Sequence, residues 1–383
     1  MKPIEIRLVK TRREKRIFLL FPWQVYRDDP LWVPPLLPDR TKDLDPEQGI
    51  FFQRGEAEYF IAWQDGKPVG TICCAVDHKT NAQRDRKDAI FGFFEVIEDQ
   101  QVAHALLEHA AKWGRAHGMT ALDGPFHLDF ENGYGILVEG RDRPPALMCG
   151  HTPAYYQDFV EGAGFQPARG QNLAFAIDIR DERPELQRLS MLADKVRKKG
   201  KVTVRPADFN RWDEEVDNLH YLLNHALTHL PDHRPWQREV VDDSFRPFQS
   251  LADPELILFA DVDGKTVGFL PGLPNYNEAF HKVNGLRYPW NYLKLWLRMY
   301  GRFDSATVKS VLVLPEYWGY SGVAVLLMDE LIKRLRSRGF SWIDLSLTSA
   351  DNPFTPDLAT RLGAKVYKRY QVYRLQLDEF HRD

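Results

Sequence analysis

The chain has 383 residues, long for one compact core, and two domains are the first expectation. A net charge of −3 leaves no basic surplus to meet a phosphate backbone, which sets nucleic acid aside as a partner. No run of about 18 apolar residues suggests a membrane span, and three cysteines lack disulfide or metal-ligand spacing; with charges at Lys2, Glu5 and Arg7 where a signal peptide is apolar, a reduced cytoplasmic setting is expected.

In chain order, Pro34, Pro35 and Pro38 after Trp32 read as a rigid extended loop beside a first helix. The apolar run Tyr59 to Trp63 leads into Asp65-Gly66, a tight-turn pair, and then into a second strand. Phe91-Gly-Phe-Phe-Glu-Val96 is the next strand, and Leu106-Leu107 lies in a helix that ends near Gly118, followed by a strand with Asp123. The segment 126–150 is an insertion in which His127, Asp129 and Glu131 lie close together, read as a Gly-rich connection or a paired-carboxylate site. Ala163-Gly164-Phe165 and the strand Asn172 to Asp178 close the first half.

The pattern then restarts. Asp263-Gly264 repeats the hairpin, Leu326-Leu327 the helix, Gly339 its end, Asp344 the strand after it, and Leu362-Gly363-Ala364 the final turn. Four matched features in one order indicate duplication. The first half carries its insertion in 126–150 and the second a compensating one in 275–303. The second half is expected to have strands near 202–206, 255–262, 266–271, 306–314, 341–347 and 365–377. Helices are expected near 208–229, 322–338 and 354–362. The division is 1–180, a polar join at 181–201, and 202–383, each half an α/β fold with a mixed sheet flanked by helices.

The segment 310–330 carries the clearest chemistry. An apolar strand ends at Pro315, a short loop turns through Gly319, Ser321 and Gly322, and an apolar-spaced helix begins at Val323. Such a junction aims backbone N–H groups and a positive helix end at one point, suited to phosphate. No Lys-Ser/Thr pair follows, so it is not a nucleotide-hydrolysing loop, and the dinucleotide glycine spacing is missing too.

This arrangement resembles the GNAT superfamily of acyl-CoA-dependent N-acyltransferases, and the whole chain resembles bacterial proteins with two such folds in tandem. The resemblance implies two tandem GNAT-like domains, each a mixed, mostly antiparallel sheet. It implies acetyl-CoA or another acyl-CoA as co-substrate, held by Val313, Leu314, Trp318, Gly319, Tyr320, Ser321, Gly322 and Val323, with Asn352 at the next strand end. A backbone N–H in 311–314 would polarise the thioester carbonyl. Asp344 and Glu316 are the candidate bases, and Tyr367 or Tyr370 the candidate acids. Two departures stand out: Glu316 replaces a Gln or Arg, and Ala359 occupies the place of a general-acid tyrosine. In the first half Ile97-Glu-Asp-Gln-Gln101 has no glycine loop, which implies a domain that no longer binds CoA.

The function implied is acylation of a small amine or amino acid derivative by the C-terminal half, as in an N-acetyltransferase. The alternatives are a non-catalytic tandem-fold binding protein and an aminoacyl-transferase using charged tRNA. Among other features, His225, His229 and His233 have metal-like spacing but read as a polar helix end broken by Pro231, beside an acceptor mouth. In the second insertion Leu293, Trp296, Leu297 and Tyr300 share one helical face, read as core or domain seam, a lid over an apolar chain, or a homodimer contact.

Overall fold

The computed structural model describes residues 3–129, 135–228, 235–246, 249, 252–318, 322–352 and 355–377. The chain opens with β1 (Glu5–Leu8), α1 (Arg12–Leu20), α2 (Pro22–Val25), α3 (Leu37–Asp43), β2 (Gly55–Gln64), β3 (Lys67–Asp77), α4 (His78–Arg84) and β4 (Asp88–Val96). Next come α5 (Gln100–Ala116), β5 (Ala121–Phe126), β6 (Ile136–Glu139), α6 (Tyr155–Gly162), β7 (Gln166–Pro167) and β8 (Asn172–Asp178). After α7 (Pro184–Lys199) follow β9 (Val202–Pro206), α8 (Trp212–Ala226), α9 (Arg238–Phe245), β10 (Ile257–Val262) and β11 (Lys265–Pro274). The rest is α10 (Asn277–Phe280), α11 (Pro289–Met299), β12 (Ser305–Val308), β13 (Leu312–Val313), α12 (Val323–Ser337), β14 (Trp342–Ser349), α13 (Thr355–Arg361), β15 (Lys365–Gln371) and β16 (Tyr373–Gln376).

The duplication is visible in the backbone. Both hairpins turn through an Asp-Gly pair with positive φ at each residue, 51° and 72° at Asp65-Gly66 and 49° and 77° at Asp263-Gly264. Two left-handed residues give the turn the twist that its flanking strands need, and Gly adopts that conformation without steric cost. In each half the strand after the hairpin is joined through a helix to a parallel partner, β4 with β5 and β12 with β14. A crossover helix is the usual way to bring two strands parallel.

The halves exchange their closing strands. One sheet runs β1-β2-β3-β4-β5-β16-β7 and the other β6-β15-β8-β14-β12-β11-β10-β9, with β13 also paired to β11. β16 therefore lies between β5 and β7 of the first half. β8, expected as the last strand of the first half, sits between β14 and β15 of the second. The single strand expected at 365–377 divides at Val372, one part in each sheet. The apolar side chains follow: Leu173, Phe175 and Ile177 of β8 are buried in the second core, and Tyr373 and Leu375 in the first. Residues 181–201, read as a join, hold α7, which packs along α12 through Arg197 and Asp329, 2.6 Å apart.

The first insertion also reaches the second sheet, where β6 pairs with β15. Lys368 of β15 is fully buried and donates its ammonium to the carbonyls of Gly140 and Arg143. The second insertion corrects the seam reading of its apolar face. Asn291, Leu295 and Met299 turn inward, while Leu293, Trp296, Leu297 and Tyr300 are exposed, because only one stripe of an isolated helix lies against the body.

Arg374, carried by the exchanged β16, reaches two buried carboxylates of the first half, Asp88 at 2.7 Å and Asp123 at 2.8 Å. Burial raises the Asp123 carboxyl to about 6, with Arg374 pulling the other way. Arg374→Ala leaves Asp123 buried without its hydrogen-bonded cation and Asp88 with only the more distant Arg86, 3.9 Å away. A loss of about 2–3 kcal/mol is expected in denaturant unfolding, less than the roughly 3–5 of a fully buried pair because the guanidinium is partly exposed.

Candidate active site

The second half has the forked geometry that an extended thioester arm needs. β12 and β14 pair in parallel from Ser305↔Trp342 to Val308↔Leu345. Beyond that point the chain leaves β14, and β13 pairs instead with β11 at Gly268 and Phe269. The strand expected at 306–314 is therefore two pieces with a fork between them. Val313 and Leu314 are buried on the β11 side, and the Leu314 N–H donates to the Val267 carbonyl at 3.0 Å. The Trp318 indole N–H donates to the Val313 carbonyl at 2.8 Å, which pins the following turn to the strand end.

From that turn the chain enters α12. Gly319, Tyr320 and Ser321 lie outside the described residues. Gly322 sits at the helix cap with φ of 75° and, being glycine, brings no capping side chain of its own. A Cβ at Gly322 would lie 2.3 Å from Val196 of α7, so close packing as well as conformation demands glycine. Val323 is buried as the first helical residue. The matching helix of the first half is closed to anions: the Asp99 carboxylate accepts from the N–H groups of Gln101 and Val102, 2.9 and 3.3 Å away. A carboxylate at a helix N-terminus satisfies the groups that a phosphate would use.

Asp344 lies in the fork region, fully buried. It accepts from the hydroxyls of Thr307 and Tyr367, each at 2.7 Å, and from the Lys309 ammonium at 3.3 Å. These donors, one of them cationic, occupy acceptor sites on both carboxylate oxygens. Tyr367 beside it is pushed well above the ordinary phenol range, chiefly by burial. Tyr370 is buried and donates to the Gly150 carbonyl at 2.9 Å. Lys309 Nζ lies 3.9 Å from Cys149 Sγ, so Cys149 and Gly150 form a wall against this cluster. Glu316 is apart from it, exposed on the turn after β13. Asn352 caps α13, its Oδ1 accepting from the Thr355 N–H at 3.0 Å, and Ala359 is buried on that helix.

Beside these residues is a cavity of about 1190 Å³. Its apolar sides come from Phe18, Trp32, Val33, Leu36, Phe93 and Phe280, and Cys149 and Gly150 line it as well. Glu95 faces this cavity from the first-half fork, where β4 has left β5 after Gly92 and pairs with β3. Burial raises the Glu95 carboxyl to about 7, against the lowering effect of hydrogen bonds from Tyr156 and Tyr26 and the charge of Arg40. Tyr156 OH donates to Glu95 at 2.8 Å while accepting from the Val96 N–H at 2.9 Å. His127, also lining the cavity, is held well below its ordinary value by burial and stacks on Phe93 with centroids 4.8 Å apart.

Sequence reasoning did not single out Glu95; the signal was an acid set within the apolar run Phe91 to Val96. Asp129, read with Glu131 as a carboxylate pair, is salt-bridged to Arg54 at 2.6 Å, and Glu131 lies outside the described residues. His225 bonds the Tyr221 carbonyl through Nδ1 at 2.7 Å; His229 and His233 also lie outside them.

The Acetyltransferase (GNAT) family matches residues 23–124 and 218–364. A Caulobacter vibrioides protein named bacterial ceramide synthase is 30% identical over 378 residues, 96% of this chain and 96% of that one. Protein YghO of Escherichia coli is 29% identical over 97% of this chain and 95% of its own. Among solved structures, a tandem GNAT protein from the clavulanic acid biosynthesis pathway superposes with a TM-score of 0.57 at 14% identity, covering 98% of this chain and 99% of that one. Proteins of this fold generally use acyl-CoA as co-substrate and act on small molecules. With a fork in each half and family matches in both, the chain belongs to the GNAT acetyltransferase family as a tandem member.

Proposed function

We propose that the protein transfers an acyl group from acyl-CoA to the amine of a long-chain, amphipathic acceptor. The C-terminal half takes the CoA and the cavity takes the acceptor. The observation that carries this reading is the fork that opens where β12 leaves β14 and β13 pairs with β11, followed by a helix that begins at a glycine, whereas Asp99 occupies the matching helix start of the first half. In this reading the 315–322 loop and Val323 face the pyrophosphate, and Val313 and Leu314 flank the pantetheine arm. The acceptor assignment is supported by the apolar lining of the cavity and by the name of the Caulobacter relative, a ceramide being an amide of a long-chain amino alcohol. A site of this volume with both apolar and charged sides suits an amphipathic chain with a polar head better than a small polar amino acid.

The chemistry requires a neutral amine, a polarised carbonyl and an acceptor for the amine proton. Glu95, raised to about 7, matches that last task near neutral pH. Asp344, with Thr307, Lys309 and Tyr367 as donors, orients Lys309 and Tyr367 beside the fork. Tyr370 holds the Gly150 wall. The rival reading, a tandem fold that binds CoA without turnover, draws on buried Ala359 at the place of a tyrosine.

Calorimetry with acetyl-CoA and with long-chain acyl-CoA tests the first element. Wild type binds, Trp318→Ala with Ser321→Asp loses at least about tenfold in affinity through the added charge, and Asp99→Ala changes nothing. No heat from any acyl-CoA removes the CoA assignment, and binding without amide formation from a long-chain amine selects the non-catalytic reading.

Glu95 gives a second expectation. Its carboxyl must be ionised to accept a proton, so kcat/KM falls as pH drops below about 7, and Glu95→Gln lowers kcat by about 10²-fold or more. Folding raises this group from its usual 4.5, so its stabilising contribution is present below that value and is lost as pH rises through about 7. The wild-type unfolding free energy therefore carries a decline across that window that Glu95→Gln lacks. A variant with wild-type kcat and an unchanged acid limb would place the base elsewhere.

A further inference from the structure

We propose that α11 is a membrane-docking helix that lies in the plane of an anionic bilayer and sets the mouth of the cavity at the lipid surface. Along the helix, Trp290, Leu293, Trp296, Leu297 and Tyr300 fall on one outward arc, and each is between 57% and 78% exposed. The spacing of three and four residues is that of a helical stripe. The opposite stripe, Asn291, Leu295 and Met299, is turned to the body, so the exposed arc is not the core-facing side of the helix. Tryptophan, tyrosine and leucine in contiguous exposure are unusual on a water-facing surface, and indole and phenol rings favour the boundary between headgroups and acyl chains.

Charge selects the occupant. From residue 279 to 303 the chain contains no Asp or Glu, but it contains Lys282, Arg287, Lys294, Arg298 and Arg302. All five are exposed, and none forms an ion pair among the described residues. Lys294 and Arg298 lie one turn apart on the flank of the apolar arc, the place where a helix lying on a bilayer meets lipid phosphates. A second copy of the same face would bring like charges together around a two-fold axis. An anionic lipid surface meets both the apolar arc and its basic border.

The position of the helix gives the docking a purpose. Asn277 and Phe280 of α10, immediately before it in the chain, line the cavity. The connecting turn is fixed to the opposite wall: the Trp23 indole N–H donates to Asn284 Oδ1 at 2.6 Å, and a Cβ at Gly285 would lie 2.5 Å from the Pro35 carbonyl. Pro35 and Trp32 line the same cavity. A helix seated among headgroups thus holds this wall beside the lipid, where an amphipathic molecule can pass from the bilayer without crossing water. The docking itself does not depend on the acyl-transfer reading.

Co-sedimentation of the full-length protein with vesicles, without CoA or acceptor, tests it. The protein is expected to pellet with vesicles of phosphatidylcholine mixed with phosphatidylglycerol, and less with phosphatidylcholine alone or at high salt. Trp296→Asp with Leu297→Asp, and separately Lys294→Glu with Arg298→Glu, each lower binding to the mixed vesicles by about tenfold or more. Their thermal melts stay at the wild-type midpoint, because the changed side chains are exposed. Wild type remaining in the supernatant with anionic vesicles overturns the proposal, as does binding that charge reversal leaves unchanged. Light scattering in which Trp296→Asp with Leu297→Asp converts a dimer to a monomer assigns the face to self-association and overturns it too. Because no acyl-CoA is present, these outcomes are separate from success or failure of the calorimetry.

Discussion

Strand exchange between the two halves is the constraint on which the rest of the molecule depends. β8 hydrogen-bonds to β14 on one side and β15 on the other, and β16 lies between β5 and β7. Each sheet would otherwise have an open slot at its centre or a missing neighbour near its edge, with unpaired N–H and C=O groups whose burial is costly. The exchange also holds the two forks on a common frame. β8 borders β14, which flanks the second-half fork, and β16 borders β5, which flanks the first. The cavity, lined from both halves, keeps its shape because neither half can move independently of the strand it has lent.

Within that frame the two copies have taken different chemistry from the same backbone. Each retains the parallel strand pair that parts into a fork. In the first copy an aspartate fills the helix N-terminus and an acid with raised proton affinity faces the cavity. In the second a glycine caps the helix and the acid near the fork is surrounded by donors. The electrostatic difference between Glu95 and Asp344 is one of partners: Glu95 is desolvated with hydroxyl neighbours, and Asp344 has an ammonium 3.3 Å away. Duplication supplies two equivalent positions, and a few polar side chains around each decide what they do.

Much of the fold was legible because its signals are local. Asp65-Gly66 and Asp263-Gly264 mark turns through their own conformational preference, and the apolar spacing of 323–337 marks a helix without reference to anything distant. The exchange was not legible in this way. The alternation in Asn172 to Asp178 says that the segment is a strand, and β-pairing preferences are too weak to say whose neighbour it becomes. Glu95 was hidden for a related reason, since its raised proton affinity comes from burial by distant parts of the chain, against the lowering bond from Tyr156, sixty-one positions later. The glycine loop was readable as a candidate anion site and Asn352 as a polar residue at the next strand end, but not that its Oδ1 accepts from the Thr355 N–H at the start of α13. The apolar arc of α11 was recognised as a stripe, but the inward direction assumed for it came from the usual habit of such stripes.

The placement of β16 has a consequence for how the protein comes into being. Synthesis runs from the amino end, so the first sheet must wait with β5 and β7 unjoined until residues 373–376 leave the ribosome. The early half cannot complete its native state while the later half is still being made, and its exposed edge is the surface most in need of protection during that interval. A stop codon or a proteolytic cut just before Tyr373 would therefore damage the first sheet, whose other strands lie far earlier in the chain.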